Sequence, residues 1–268
     1  MIENYTLSQW ITFFYIYSFL GWCVESSIVS VTKRKLTNRG FLIGPMLPLY
    51  GFGGITILLA TLWTRENILL VYLFGLIAAT CLEYVTGVAM EAIFNMKYWD
   101  YSAKRFNLNG YICLQSSLFW GLLAVIIVCF LHEAVSNVVL SMNQQVLRWI
   151  LIGIVTFTII DIIMSFKKAL DLKKLLAYET AVKHELTDLT ARLLEAKDAF
   201  TERTTEKQKM FFARQEGRIE NLKEEQEAIK KKMSGFGTST LRSFPSATSK
   251  RFGDALSEFR DYFNLTKR

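Results

Sequence analysis

Long apolar runs separated by short polar segments fill the first 168 residues of the chain. The hydrocarbon core of a bilayer takes about 20 apolar residues as a helix, so each run of that length predicts a membrane span. Five runs qualify: residues 10–31, 41–63, 68–96, 111–131 and 146–166. The pattern therefore predicts an all-α, polytopic membrane protein with five transmembrane helices.

Beyond residue 168 the apolar positions recur every three or four residues, which is the seam of a coiled coil. The first seam contains Leu172, Leu175, Val182, Leu186, Leu189, Leu193, Ala196 and Phe200, and the second contains Phe212, Ile219, Leu222, Ile229 and Met233. The spacing fails between the seams, which predicts a hinge or a fold-back. A parallel homodimer, an antiparallel hairpin within the chain and a partly ordered, solvated helix all remain open.

Residues 234–268 differ from both preceding parts. Glycine, proline and hydroxyl residues up to position 250 predict a flexible linker. Phe252, Leu256, Phe259 and Phe263 then fall on one face of a short basic helix, which suits the inner leaflet or a docking partner. We thus expect a five-span domain at 1–168, a cytoplasmic coiled-coil helix at 169–233, and a linker with an amphipathic helix at 234–268.

The distribution of charge orients the predicted spans. The first 168 residues hold 11 basic and 8 acidic side chains, and the last 100 hold 20 and 16. Basic residues cluster after the first, third and fifth runs, and the positive-inside rule places those loops in the cytoplasm. The N-terminus is then outside and the C-terminus inside. Lysines and glutamates alternate beyond residue 168, so no basic face for nucleic acid is expected.

Four acids lie within the predicted spans, and ionisable groups there need a partner, a wet cavity or a function. They are Glu25, Glu83, Glu91 and Asp161. Glu25, Glu83 and Asp161 each follow the start of an outside-to-inside span by fifteen residues, which predicts a shared depth of ~22 Å. We interpret the four as candidate binding or coupling groups. The alternative is structural pairing with Arg39, Lys97, Arg105 or Lys167.

Small residues indicate where helices approach the acids. Gly75, Ala79 and Gly87 share a four-residue spacing with Glu83 and Glu91, so one stripe of this helix should face a neighbour. The second run holds Gly44, Pro45, Pro48, Tyr50 and Gly51 near its inner end, which predicts a broken helix. Freed backbone at that depth is typical of transporter binding sites, although a simple kink would also account for it.

The inner loop at residues 97–110 mixes aromatic and charged side chains. Trp99 and its neighbouring tyrosines suit the headgroup level of the membrane, which favours a surface segment. A second interpretation makes Asp100 and Arg105 part of an inner gate.

Several ordered motifs resemble one bacterial family, the CmpB-like type IV ABC-transporter membrane family, which is related to transmembrane protein 229 of animals. The motifs are Gly21-Trp22-Cys23-Val24-Glu25, Asn38-Arg39-Gly40 through Gly44-Pro45 with Tyr50-Gly51, Glu83 through Gly87 with Glu91, Trp99-Asp100-Tyr101, Phe106-Asn107 and Gly110 through Leu114. The resemblance is strong over residues 10–121 and looser to 166. It implies a multi-pass permease in the bacterial inner membrane.

The leading hypothesis is therefore a transport protein whose inner-half carboxylates bind a cation, a proton or a cationic solute. The supporting or gating candidates are Arg39, Gly44, Pro45, Tyr50, Gly51, Gly87, Trp99, Asp100, Asn107 and Gly110. The alternative is a non-transport membrane scaffold whose coiled coil recruits partners. We expect no enzymatic activity, cofactor or metal, since the sequence has no phosphate-loop or hydrolytic motif. The expected partners are the bilayer, a second copy or coiled-coil partner, and a separate ATPase subunit.

Overall fold

The computed structural model describes residues 5–199 and 206–263, which form two units. Of these residues, the first unit contains 5–167 and 242–248, and the second contains 168–199, 206–241 and 249–263. The helices are α1 (Leu7–Lys33), α2 (Pro48–Thr61), α3 (Ile68–Phe94), α4 (Leu114–Ile126), α5 (His132–Ser141), α6 (Gln144–Ala199), α7 (Glu206–Ser243) and α8 (Gly253–Tyr262). A π-helical turn, Ile127–Leu131, joins α4 to α5, and strands β1 (Asn107–Leu108) and β2 (Ile112–Cys113) form a small hairpin.

Four helical segments are long and apolar enough to cross a membrane: Leu7–Thr32, Ile68–Phe94, Leu114–Ser141 and the first part of Gln144–Lys197. Large apolar side chains such as Phe130, Trp149 and Ile163 are exposed on them, as lipid contact requires. The second predicted run differs, because its helix α2 has only 14 residues. The five-span count and the orientation stay predictions.

Local sequence signals set the ends of these helices. Thr6 and Gln9 form a capping box at the start of α1, and Asn67 accepts hydrogen bonds from two amides at the start of α3. Pro48 is the first residue of α2, where a missing N–H costs nothing. The expected break in the second run therefore occurs, and residues 40–47 precede the helix as irregular backbone.

Glycines allow the helices of the first unit to approach closely. A Cβ atom at Gly51 would collide with Ser18 and Phe14 of α1, and one at Gly75 would collide with Ala124 of α4. The small stripe on α3 thus faces α4, as the sequence indicated. The core around these contacts includes Phe13, Ile57 and Trp120.

Replacing Gly51 with Ala should destabilise the first unit, because overpacking of this kind costs about 1–3 kcal/mol. The matched control is Gly153→Ala in α6, where an added Cβ meets nothing within 4 Å. That variant should be as stable as the wild type or slightly more stable, since alanine is the better helix former. Thermal unfolding in detergent measures both, and equal melting temperatures would contradict the close α1–α2 contact at Gly51.

The predicted linker at 234–250 is wrong in its first part, because α7 continues to Ser243. Hydroxyls of Ser234 and Thr238 donate to carbonyls of their own helix, which satisfies them without a turn. Residues 242–248 then pack in the first unit, where Lys97 and Thr248 exchange two backbone hydrogen bonds. Phe244 and Ala247 are buried there.

In the second unit, side chains pair α6 with α7 in antiparallel order. Tyr178 donates to Glu225 at 2.9 Å, Lys197 pairs with Glu216 at 2.8 Å, and Glu185 pairs with Arg218. Predicted seam residues of both helices are buried: Leu172, Val182, Leu222, Ile229 and Met233. This order matches the hairpin alternative, whereas pairing with a second copy stays a prediction. Phe200 lies outside the described residues.

Candidate functional site

A cavity of about 360 Å³ lies in the first unit, beside the C-terminal halves of α1 and α3, which carry Glu25 and Glu83. The irregular segment before α2, the start of α4, the middle of α6 and residue 244 complete its wall. The lining residues include the following: Glu25, Arg39, Tyr50, Glu83, Tyr98, Trp99, Tyr101, Ser116, Trp120 and Phe244. Two of the four predicted acids, on different helices, therefore face one space.

Glu25 is partly neutralised within this wall. The Arg39 Nε atom lies 3.5 Å from one Glu25 carboxylate oxygen, and the Tyr50 hydroxyl donates to the other at 2.8 Å. Arg39 reaches Glu25 because its backbone N–H is fixed by Ser26 Oγ at 3.1 Å. The structural pairing that we weighed for this acid is thus present, and it leaves Glu25 with little net charge to offer.

Glu83 has a different environment, since its side chain is only 5% exposed. Tyr101 Oη donates to one carboxylate oxygen at 3.3 Å, and Trp120 Nε1 donates to the other at 3.1 Å. Both donors are neutral. Among the described residues, no basic side chain lies within ion-pair distance of this carboxylate, so a negative charge on it would be uncompensated.

Aromatic rings make up most of the remaining wall. Nine of the lining side chains are aromatic: Phe41, Tyr50, Tyr98, Trp99, Tyr101, Phe119, Trp120, Phe166 and Phe244. The Tyr50 and Trp120 rings lie 5.4 Å apart beside the two acids, and burial raises the pKa of Tyr98 and of Tyr101. These hydroxyls stay protonated at neutral pH and can donate hydrogen bonds.

Residues 242–248 close one side of the cavity. The Phe244 ring lies 4.8 Å from the Tyr98 ring and 5.1 Å from the Arg39 guanidinium, which also donates to the Ser243 carbonyl. Thr248 Oγ1 donates to Asp100 at 2.6 Å. Burial opposes ionisation of Asp100, but hydrogen bonds from Ser102 and Thr248 hold its pKa below the usual value.

Glu91 does not line the cavity. It accepts a hydrogen bond from the Tyr111 hydroxyl and lies 4.0 Å from Lys97 Nζ. Lys97 also stands 4.6 Å from the centre of the Tyr111 ring, so the three side chains form a separate polar cluster.

Asp161 lies outside the cavity wall as well, although the sequence analysis grouped it with Glu25 and Glu83 by predicted depth. Its carboxylate accepts the backbone N–H of Ile43 at 2.9 Å, that of Gly44 at 2.8 Å, and the hydroxyl of Ser165 at 3.1 Å. Asp161 thereby holds the irregular segment that leads into α2.

The family model described as "Putative ABC-transporter type IV" matches residues 12–166, which are more than half of the chain. The chain belongs to this family. The resemblance expected from the motifs is thus confirmed, whereas the relation to the animal protein stays a prediction. No curated protein and no solved structure shows significant similarity to the chain.

The match to the type IV ABC-transporter family covers all four candidate acids and most of the cavity wall. Phe244 lies beyond the matched range. The matched segment therefore contains most of the candidate site, while the part of the wall that residue 244 contributes lies outside the match.

The other candidates support the site from nearby. Gly44 faces Asp161, where a Cβ would stand 2.9 Å from a carboxylate oxygen, and Gly87 faces Tyr111. Gly110 has a φ of 75°, which glycine adopts without strain, and Asn107 Oδ1 accepts its N–H at 3.2 Å.

Trp99 lines the cavity and donates to the Tyr111 carbonyl at 2.9 Å. Pro45 lies in the irregular segment that Asp161 holds, and Gly51 packs on α1.

Sequence reasoning missed Trp120 and Phe244. Trp120 stands in an uncharged run, but a buried indole N–H needs an acceptor, which is the signal that would have paired it with an acid on a neighbouring span. No such signal marks Phe244, because this residue falls within the predicted linker at 234–250.

Proposed function

We propose that the chain is the membrane-spanning component of a transporter whose cavity binds a proton, a cation or a cationic solute. Family membership supports a transport role, and the four long apolar helices support a lipid environment. The buried environment of Glu83 is the observation that supports the proposal most directly. A nearly buried carboxylate with two neutral donors attracts positive charge, because leaving it ionised and unpaired in a bilayer is costly.

A small organic cation suits the cavity better than a metal ion. Glu25 and Arg39 offset one another, so the lining keeps one net negative charge at Glu83. Aromatic faces attract ammonium and guanidinium groups, whereas Mg²⁺ and Ca²⁺ prefer a set of oxygen ligands. The cavity volume of about 360 Å³ is in the range of small-molecule sites, roughly 300–1,000 Å³.

Five spans with the N-terminus outside remain our proposed topology. The 14 residues of α2 rise about 21 Å, and the irregular segment before them adds the length that a full crossing needs. Lys35, Lys97 and Lys167 then lie on the cytoplasmic side, as the positive-inside rule favours. Irregular backbone at membrane depth is tolerated here because Asp161 satisfies two of its amides.

Energy for transport would come from a separate ATPase subunit or from an ion gradient. The family supports the first of these, and the sequence has no phosphate-binding loop of its own. We propose that this chain carries no catalytic activity and that its location is the bacterial inner membrane.

Intrinsic tryptophan fluorescence tests the proposal, because Trp99 and Trp120 line the cavity. The protein in neutral detergent is titrated with the chloride salts of tetramethylammonium, guanidinium and sodium. Parallel titrations with choline gluconate and sodium gluconate separate the effect of the cation from that of the anion. We expect a saturable change with the organic cations, and a much weaker one with sodium. A signal that follows the anion, or no saturation with any cation, would overturn the cationic-solute assignment.

Asp100 gives a further prediction about the wall at 242–248. Replacing Asp100 with Asn removes the charge that accepts the Thr248 hydroxyl, and charge-assisted bonds are the stronger ones. Amide hydrogen exchange of residues 244–248 should accelerate by about tenfold, which corresponds to about 1.4 kcal/mol of local stability. Asp188→Asn, an exposed acid on α6, is the control and should leave these amides unchanged. Equal exchange in both variants would show that Asp100 does not hold the segment.

A further inference from the structure

The wall of the cavity extends from its buried acid to side chains on the outer face of α4. Trp120, which donates to Glu83, is buried, but the preceding residue Phe119 also lines the cavity and is 51% exposed. Leu118 and Leu122 beside it are exposed as well, so Phe119 lies on the outer face of the helix. A wall that includes a half-exposed side chain is open at that point.

The same transition occurs on α6. Asp161 is buried, whereas the next residue, Ile162, lines the cavity and is 38% exposed. Ile159 and Ile163 on the same helix are more than half exposed, and Phe166, one turn further, is an exposed part of the cavity wall. Both helices belong to segments long and apolar enough to cross a membrane, so the cavity opens toward hydrocarbon.

The wall also becomes less polar along α3. Thr86 and Met90 follow Glu83 by three and seven residues, which keeps all three on the helix face that lines the cavity. The order runs from a carboxylate through a hydroxyl to a thioether over a rise of ~10 Å. A methionine adapts readily to flexible apolar ligands. The cavity therefore has a charged part at Glu83 and an apolar part that reaches lipid-facing side chains.

We propose that the ligand of this cavity is an amphiphile with a cationic head and an alkyl tail. The inference rests on the proposed function and names the chemical class of its solute. The head lies beside Glu83 and the aromatic rings, which attract ammonium groups. The tail follows the apolar part of the wall to Phe119 and Ile162, where it meets the bilayer. A cavity with an acid at one end and lipid at the other matches both halves of such a molecule.

A series of trimethylammonium salts with a methyl, butyl or hexyl group tests the proposal by tryptophan fluorescence in neutral detergent. Each methylene buried from water strengthens binding about fourfold, so we expect hexyltrimethylammonium to bind at least about tenfold more tightly than tetramethylammonium. Hexanol has the same chain without the charge and should bind much more weakly. If hexanol binds as tightly as hexyltrimethylammonium, the site is merely apolar and the proposal is wrong.

Variants at the opening locate the tail. Ile162→Asn places a polar amide beside it and should lower the ratio of hexyl to methyl affinity several-fold. Phe119→Asn should do the same from α4, which keeps the proposal testable if one variant does not fold. Ile163→Asn is the matched control, because Ile163 is exposed on α6 and is not part of the cavity wall. Its ratio should equal that of the wild type, whereas an unchanged ratio in both test variants would contradict the assigned path.

Partition of the amphiphile into detergent is the same in every sample, so differences between variants report the protein alone. Failure of this proposal also differs from failure of the proposed function. If tetramethylammonium binds saturably and hexyltrimethylammonium binds no more tightly, the solute is a small cation and the amphiphile is wrong. If neither compound binds saturably, the cationic-solute assignment is wrong, and the amphiphile proposal is overturned with it.

Discussion

Replacing Glu83 with Gln should abolish the fluorescence response to tetramethylammonium. The amide has nearly the same shape, and its oxygen can still accept from Trp120 or Tyr101, but the one uncompensated charge of the cavity is removed. We expect the affinity to fall at least about tenfold, or about 1.4 kcal/mol. The melting temperature should stay the same or rise, because a neutral amide is cheaper to bury than a carboxylate.

Glu133→Gln is the matched control for this variant. Glu133 is exposed near the start of α5 and does not line the cavity, so its loss changes the net charge equally without touching the site. The control should bind like the wild type. If both variants bind like the wild type, Glu83 is a structural group that packs in the protonated form. If both lose affinity alike, the effect is one of overall charge.

Depth along a helix was predictable, whereas rotation about its axis was not. The rise per residue predicts that Glu25, Glu83 and Asp161 lie at one level in the membrane, and that shared level stays a prediction. Which of them faces a common space depends on how each helix is turned toward its neighbours. The stripe of small residues supplied that information for α3, and the structure confirms that it faces α4. No comparable stripe marks α6, so Asp161 was grouped with acids that it does not join.

Composition also misled where tertiary contacts override local preference. Glycine and serine after Met233 suggested a linker, but α7 continues because Gly237 packs near Leu172 and Phe259. The docking of residues 242–248 depends on backbone pairing between Lys97 and Thr248, which leaves no periodic trace in a sequence. The break before α2 was predictable, since proline and glycine act locally.

Replacing Asp161 with Ala should destabilise the first unit strongly without acting through the cavity. The change leaves the Gly44 amide and the buried Ser165 hydroxyl without their acceptor, whereas the Ile43 amide keeps Ser165 Oγ at 3.2 Å. Each unsatisfied buried group costs about 1–3 kcal/mol, so we expect a loss of roughly 2–5 kcal/mol. Asp161→Asn keeps one acceptor oxygen and should lose less. Thermal or denaturant unfolding in detergent measures the series.

Thr156→Ala is the control on the same helix, because its exposed hydroxyl bonds only the Ile152 carbonyl of α6, and its stability should not change. The two acids can then be told apart by opposite effects. Asp161→Asn should lower stability while the folded protein keeps its affinity for tetramethylammonium, and Glu83→Gln should do the reverse. A folded Asp161→Asn variant that has lost its affinity for tetramethylammonium would contradict this separation. Asp161 would then be a binding acid, as the sequence predicted, and its charge would be needed for binding.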